Sequence, residues 1–519
     1  MATVLGTYAW ALLVEHEAGL RVDSVVQAVV IASALGRVQR LFDRADRLLA
    51  CAVLPCAAAG GTELSTLIQR HPLAGDAVFV LGVAGAIWVR RFGARATRAG
   101  TLVVLPLIAV LVVPGGAPPV SGHTGTVWAA ATALVAVAWG AVLTRTAQRT
   151  GLVARPPSAR VTTATRAPHR WMPPSSRMAL QMAAALTAAF AIGRNLWPDH
   201  WAWVVLTAFL VCSGARSRGD VLVKGAWRTL GAAAGTVVAT AVSGLFGPRS
   251  DTAVVLIFVV LAVATWLREL SYAYWAACVT AVLSLLYDWF GQSPGDLLHT
   301  RLAGIAVGAV LGVTASWLVL PIRTEAVIRA RTAAALSGLG EMMETDWRDA
   351  PAVRMAQARF TYRVDQLAAV TAPMRILAAL PAPGALSSRR HPDHFTIRSV
   401  TTLRHCVGPV DELARAIRAA PDALTSDPVV TQRRHRLAAH ALTVRRAIGR
   451  RPAPPAAAGA TPSERPPTTG GAAPPNQSVL ATVPVLAALD EIDTQLDVLS
   501  PLFDPSPVST SGTTAAAAR

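Results

Sequence analysis

The chain is 519 residues long, 53% hydrophobic and only 15% charged, with a mean hydropathy of +0.44 and a formal net charge of +18. An ordinary soluble domain is about a quarter charged, and here the apolar excess lies almost wholly before Pro321. A single soluble enzyme and a wholly disordered chain are both excluded. Lys224 is the only lysine, so the charge is nearly all arginine; with the abundant Ala, Pro and Gly it reads as high-GC compositional bias rather than a nucleic-acid surface.

A bilayer core of about 30 Å needs about 20 apolar helical residues. In chain order the candidate cores are 2–14, 22–36, 47–62, 75–90, 99–114 and 125–144, then 178–194, 200–214, 225–245, 252–268, 272–290 and 301–321. The first has no basic n-region and no small-residue cleavage site, so it reads as a membrane helix and not as a signal peptide. A Pro- and Arg-rich linker, 146–177, parts the two sets of six.

The sets repeat each other. Trp88 in Ile87-Trp88-Val89-Arg90 matches Trp266 in Thr265-Trp266-Leu267-Arg268 at an offset of 178, and Arg37 matches Arg216 at 179. Six is even, so both sets start from the same side of the membrane, as parallel repeats related by an axis along its normal. The loops agree. Arg37, Arg40, Arg44 and Arg47, then Arg90, Arg91, Arg95 and Arg98, then the linker, then Arg216, Arg218 and Lys224 fall on one side, which the positive-inside rule makes cytoplasmic. Both termini are expected there, in a multi-pass protein of the cytoplasmic (plasma) membrane. Trp197, Trp201, Tyr272, Tyr274, Trp275, Tyr287 and Trp289 sit where interfacial aromatics belong. Glycines four apart, Gly231 and Gly235, then Gly304, Gly308 and Gly312, read as close helix packing.

After Pro321 the helical spacing carries an Arg-rich face, over 323–345, 350–380, 395–420 and 428–450; a linker at 451–476 and a helix near 478–502 follow. The fold class is thus an all-α membrane protein with about 12 transmembrane helices. The expected domains are a first six-helix membrane repeat (1–145), a cytoplasmic linker (146–177), a second membrane repeat (178–321), a cytoplasmic helical bundle (322–450) and a disordered region with one helix (451–519).

Enzyme chemistry has no footing. Lys224 is followed by Gly, which excludes a phosphate-cradling Walker loop, and no zinc-protease or nucleophile-elbow motif occurs. Cys51, Cys56, Cys212, Cys278 and Cys406 form no C-x-x-C and read as small hydrophobes. His391, Asp393, His394 and His405 read as a polar helix start rather than a metal site. No cofactor or metal is implied.

Ionisable residues at membrane depth are costly and usually functional. Arg228 lies inside the third helix of the second repeat, and Arg47 is its counterpart at an offset of 181. Two readings stand: the pair flanks a central pathway and holds a carboxylate bidentately, or both snorkel to the headgroups. Arg301 opens the last helix from the outer side; it meets a departing anion or pairs with Asp288 or Asp296. Asp199 and His200 are the candidates for proton coupling, since histidine titrates near neutrality.

The second half resembles a known family. His200-Trp-Ala-Trp-Val-Val-Leu-Thr-Ala208, Trp227-Arg-Thr-Leu-Gly-Ala-Ala-Ala-Gly235-Thr236, Tyr272-Ala-Tyr-Trp275 and Arg301-Leu-Ala-Gly304-Ile-Ala-Val-Gly308 together resemble the fusaric-acid-resistance-like (FUSC) integral membrane transporter domain of the aromatic acid exporter superfamily. The likeness is clearest over 180–321. It implies efflux of small, often aromatic, carboxylates or related organic anions, with a proton gradient as energy source; a distant likeness to plant malate channels keeps a channel-like mode open. Arg228, Gly231, Trp203, Thr207, Tyr274 and Arg301 occupy the family's motif positions. The partners implied are a small organic anion and the lipid bilayer, with no nucleic acid; a second copy or an accessory efflux subunit stays open. Two alternatives stand beside it: a non-transporting membrane scaffold acting through its helical bundle, and a major-facilitator transporter. The latter's signature needs a tighter Gly–Asp spacing than Gly36 and Asp43 offer.

Overall fold

A computed structural model describes residues 1–18, 22–39, 42–112, 123–151, 172–215, 218–243, 249–268, 270–291, 294–320, 324–379, 394–449 and 477–502. The central stretch of the expected linker, the 451–476 segment, His391 and Asp393 lie outside these residues. Every regular element among the described residues is helical. The chain forms two compact units, Met1–Ile322 and Arg323–Arg519.

The first unit holds α1 (Ala2–Ala18), α2 (Val22–Val38), α3 (Arg44–Arg70), α4 (Pro72–Trp88), α5 (Ala94–Val112), α6 (His123–Arg149), α7 (Pro174–Leu196), α8 (Trp201–Cys212), α9 (Arg218–Ser243), α10 (Asp251–Leu267), α11 (Tyr272–Trp289) and α12 (Pro294–Leu318). Local chemistry sets their ends. Asp43 and Asp46 form a reciprocal capping box at the start of α3. Pro198 follows the end of α7, where no helix continues through it. The Ser271 hydroxyl accepts from the Ala273 N–H and starts α11.

By length and apolar composition, Arg44–Arg70, Pro72–Phe92, Ala94–Val112, Gly125–Arg149 and His299–Leu318 are able to cross a membrane, and Val25–Gly36, Trp201–Cys212 and Asp251–Leu267 are shorter apolar helices. This is fewer than the twelve expected spans. The first half of α9, for example, carries Asp220, Lys224 and Arg228, which dilute its apolar character. Exposed apolar side chains such as Leu81, Val255, Val259, Val263 and Leu318 cover the outside of the unit, a surface that suits lipid and not water.

In the first six helices, α1 packs on α2 and α6, α2 on α6, α3 on α5 and α6, and α4 on α5. In the next six, α7 packs on α8 and α12, α8 on α12, α9 on α11 and α12, and α10 on α11. The halves join where α4 meets α7 and α5 meets α8, through a core that includes Phe79, Val83, Met182, Leu186, Phe190 and Phe209. An ion pair closes one end of that seam: Arg194 holds Asp76 bidentately, Nε to Oδ2 at 2.6 Å and Nη2 to Oδ1 at 2.7 Å. The glycine stripes are contact surfaces. Gly304, Gly308 and Gly312 lie against Val204, Thr207 and Cys212 of α8, while Gly231 and Gly235 let α9 approach the backbone of α11.

The second unit holds α13 (Thr324–Glu344), α14 (Ala350–Ala379), α15 (His394–His405), α16 (Val407–Ala419), α17 (Pro421–Ser426), α18 (Pro428–Ile448) and α19 (Gln477–Leu499). One core unites them, built on Trp347, Phe360, Leu403, Leu413, Leu437 and Ile492. Cys406 lies fully inside it, and burial pushes its thiol up to about 12. A water-soluble maleimide at neutral pH should therefore leave Cys406 unlabelled until the unit is unfolded, which mass spectrometry of the labelled peptide reads directly.

Candidate functional site

The site is built on one face of α11. Ala276, Thr280 and Ser284 are four residues apart, so they line up on one side of the helix, and all three are buried. Thr280 donates its hydroxyl hydrogen to the Ala276 carbonyl at 2.8 Å, and Ser284 donates to the Thr280 carbonyl at 3.0 Å. Each hydroxyl oxygen keeps lone pairs to offer.

Two arginines take them. Arg228, from α9, donates Nη1–H to Thr280 Oγ1 at 3.0 Å and to the Ala276 carbonyl at 3.3 Å. Arg301, from α12, donates to Ser284 Oγ. The two rungs are one helical turn apart, about 6 Å along the axis of α11. Both side chains are deeply buried, Arg228 at 2% and Arg301 at 6% exposure. The Arg301 guanidinium also lies over Trp203 at 4.7 Å and over Tyr287 at 5.2 Å. Trp203 is pinned in turn, donating its indole N–H to the Tyr287 hydroxyl at 3.2 Å. The imidazole of His200 stands edge-on to Trp203 at 4.6 Å.

The electrostatics are unbalanced. Among the described residues no carboxylate reaches Arg228 or Arg301, and the Nε of each is buried without a hydrogen-bond partner. A buried cation left uncompensated costs several kcal/mol. The hydroxyls, the Ala276 carbonyl and the aromatic faces supply only partial negative charge. Two buried acids elsewhere in the unit are paired, Asp46 with Arg98 and Asp76 with Arg194. The site in the second half is short of negative charge. A planar carboxylate offers the lone pairs that a guanidinium fork matches.

The structure brings together Arg228, Arg301, Trp203 and His200 among the residues singled out from sequence. Thr207, one turn along α8 from Trp203, is fully buried at the contact with Gly308, and its hydroxyl has no partner among the described residues. Asp199 is exposed beside His200. In this turn outside the helices, burial holds the His200 imidazole below its ordinary range; Asp199 opposes that shift and Arg301 adds to it. Tyr274 is 54% exposed and stands apart from the cluster. Arg47 also stands apart: it is half-buried in the first turn of α3, whereas Arg228 lies ten residues beyond Arg218, the start of α9. Asp288 makes no ion pair with Arg301, and the side chain of Asp296 lies outside the description. Thr280 and Ser284 were not anticipated. Their signal was present as two hydroxyls four residues apart inside an apolar helix, and Tyr287 stood out only as an interfacial aromatic.

Apolar helices of spanning length around a buried cationic and aromatic site define an integral membrane protein. Residues 182–315, from within α7 to within α12, match the fusaric acid resistance protein-like family. The stretch that carries the buried arginines is thus similar to that family, and the similarity points to a membrane transporter. No curated protein matches the chain.

Proposed function

We propose that this protein is a secondary transporter of the cytoplasmic membrane that exports small carboxylates, often aromatic, or related organic anions, with coupling to protons. One observation carries the reading: two guanidinium groups buried in the membrane unit, with no acid beside them among the described residues, converge on successive turns of α11. Such a pair is costly unless an anion visits it. Six helix pairings that α1–α6 share with α7–α12 support a parallel internal repeat, beside others such as α3 on α4 and α2 on α5 that belong to the first half, and the arginine-rich loops support termini on the cytoplasmic side. The second unit, in this reading, is a cytoplasmic helical bundle. The chain moves its substrate unchanged, as its lack of catalytic motifs suggests.

Everted membrane vesicles from cells making the protein test this. Energised vesicles should accumulate radiolabelled aromatic carboxylates above those from a deletion strain, and collapse of the proton gradient should abolish the difference. Equal uptake by both across a panel of aromatic and aliphatic acids would favour the scaffold reading instead.

A further inference from the structure

We infer that Asp76 is a positioning residue for the anion site: acting through Arg194 and Trp201 it fixes the first turn of α8, so that the first six helices set the geometry of a site built by the second six. The inference rests on Arg301 receiving an anion. Asp76 and Phe79 lie three residues apart on one face of α4, and both are buried. Two chains of contact run from that face to Trp201. In the polar chain, Arg194 of α7 holds Asp76 through both its Nε and its Nη2, and its guanidinium lies 4.5 Å from the Trp201 ring. In the aromatic chain, Phe79 meets Phe190 edge-on at 5.5 Å, and Phe190 lies 5.2 Å from Trp201. Gly193 closes the contact between α7 and α8: a Cβ added there would stand 3.2 Å from the Trp201 carbonyl oxygen.

Trp201 is the first residue of α8 and Trp203 the third. Side chains two apart point to nearly opposite sides of a helix. The first turn of α8 is therefore held from both sides, by α7 through Trp201 and by Tyr287 and Arg301 through Trp203. Little slack remains further along, where a Cβ on Gly308 would run into the Val204 carbonyl. A bidentate ion pair fixes both the distance and the plane of the guanidinium. Without its carboxylate, Arg194 is free to leave the Trp201 face, and the turn that carries Trp203 is held on the α7 side by aromatic contact alone. Charge and position then pull in opposite directions. Loss of a carboxylate makes the surroundings more positive, which by itself tightens an anion. Loss of the anchor lets Trp203 drift from the Arg301 guanidinium, which weakens anion binding.

The test uses the full chain in lipid nanodiscs, with benzoate as probe and calorimetry giving both the dissociation constant and the number of sites. Asp76→Asn should weaken benzoate binding about fivefold or more with the number of sites unchanged. Asp251→Asn removes an exposed acid at the start of α10, the same change of net charge made away from these contacts, and should bind as wild type. Trp201→Leu should weaken binding as much as Asp76→Asn, and the double variant no more than either, since both act along one route. Where Asp76→Asn does not fold, Arg194→Lys takes its place: it keeps the charge pair but not the planar fork over Trp201, and should weaken binding in the same way. Binding by the variant as tight as wild type or tighter, losses that add in the double variant, or fewer sites at unchanged affinity would overturn the positioning role while leaving the anion site standing. No binding of benzoate by the wild type, or binding by Arg301→Ala as tight as wild type, would remove the anion reading itself.

Discussion

Replacing Arg301 by alanine should lower carboxylate accumulation in everted vesicles by about tenfold or more, the loss expected when a charged hydrogen-bond donor at a buried site is removed. Arg301→Lys should recover only part of it. Lysine keeps the charge but not the planar fork, and it loses the stacking over Trp203 and Tyr287. Arg228→Ala should cost a similar factor, because Nε of Arg228 is equally buried and unpartnered among the described residues. Arg47→Ala, by contrast, should change uptake less than twofold or so: its side chain is half-buried in the first turn of α3 and belongs to no cluster at the site. Equal losses at Arg47 and Arg228 would restore the symmetric pathway that the repeat in sequence suggests.

The largest structural effect should come from Gly235. A side chain there runs into the backbone carbonyl of Ala277, and Gly231, one turn earlier, is as tightly set against Ala273 and Ala276. Backbone atoms do not rotate away as a side-chain tip does, so α9 and α11 must separate. Gly235→Leu should destabilise the membrane unit by about 3 kcal/mol. It should also pull Arg228 away from Thr280, because both belong to the helices being forced apart. The readout is thermal unfolding in detergent together with the yield of monodisperse protein. Gly60→Leu is the matched control: nothing lies within 4 Å of its added Cβ, so it should behave as wild type.

Much of the architecture was legible because membrane helices announce themselves by length and apolar run. The expected core at 252–268 became α10, and 272–290 became α11, each within a residue of its end. Arg228 was legible for the same reason, as a charge where the solvent is hydrocarbon; Arg301 was expected to open the last helix, which instead begins at Pro294 and carries it inward. Their relation was not legible. Which rotation α9 and α12 adopt against α11 depends on side-chain packing between helices, and the linear order of residues does not encode it. The Ala276, Thr280 and Ser284 face gains meaning only once two arginines from different helices reach it. The Arg47 pairing misled for a related reason. A near-constant offset between repeats tracks the helices but not their frames. The offset of 181 that pairs Arg47 with Arg228 differs from the 174 separating the starts of α3 and α9, Arg44 and Arg218. Two turns of helix separate a first-turn residue from a buried one.

The account stands on the buried arginines of the second half receiving an organic anion. A crystal structure of the protein with 4-bromobenzoate, using the anomalous signal of bromine, tests that most directly. The carboxylate should lie on the guanidinium groups of Arg301 and Arg228, with the brominated ring against Trp203 and Tyr287. Bromine found only elsewhere, with both guanidiniums in the same hydrogen bonds to Thr280 and Ser284 at saturating ligand, would contradict it.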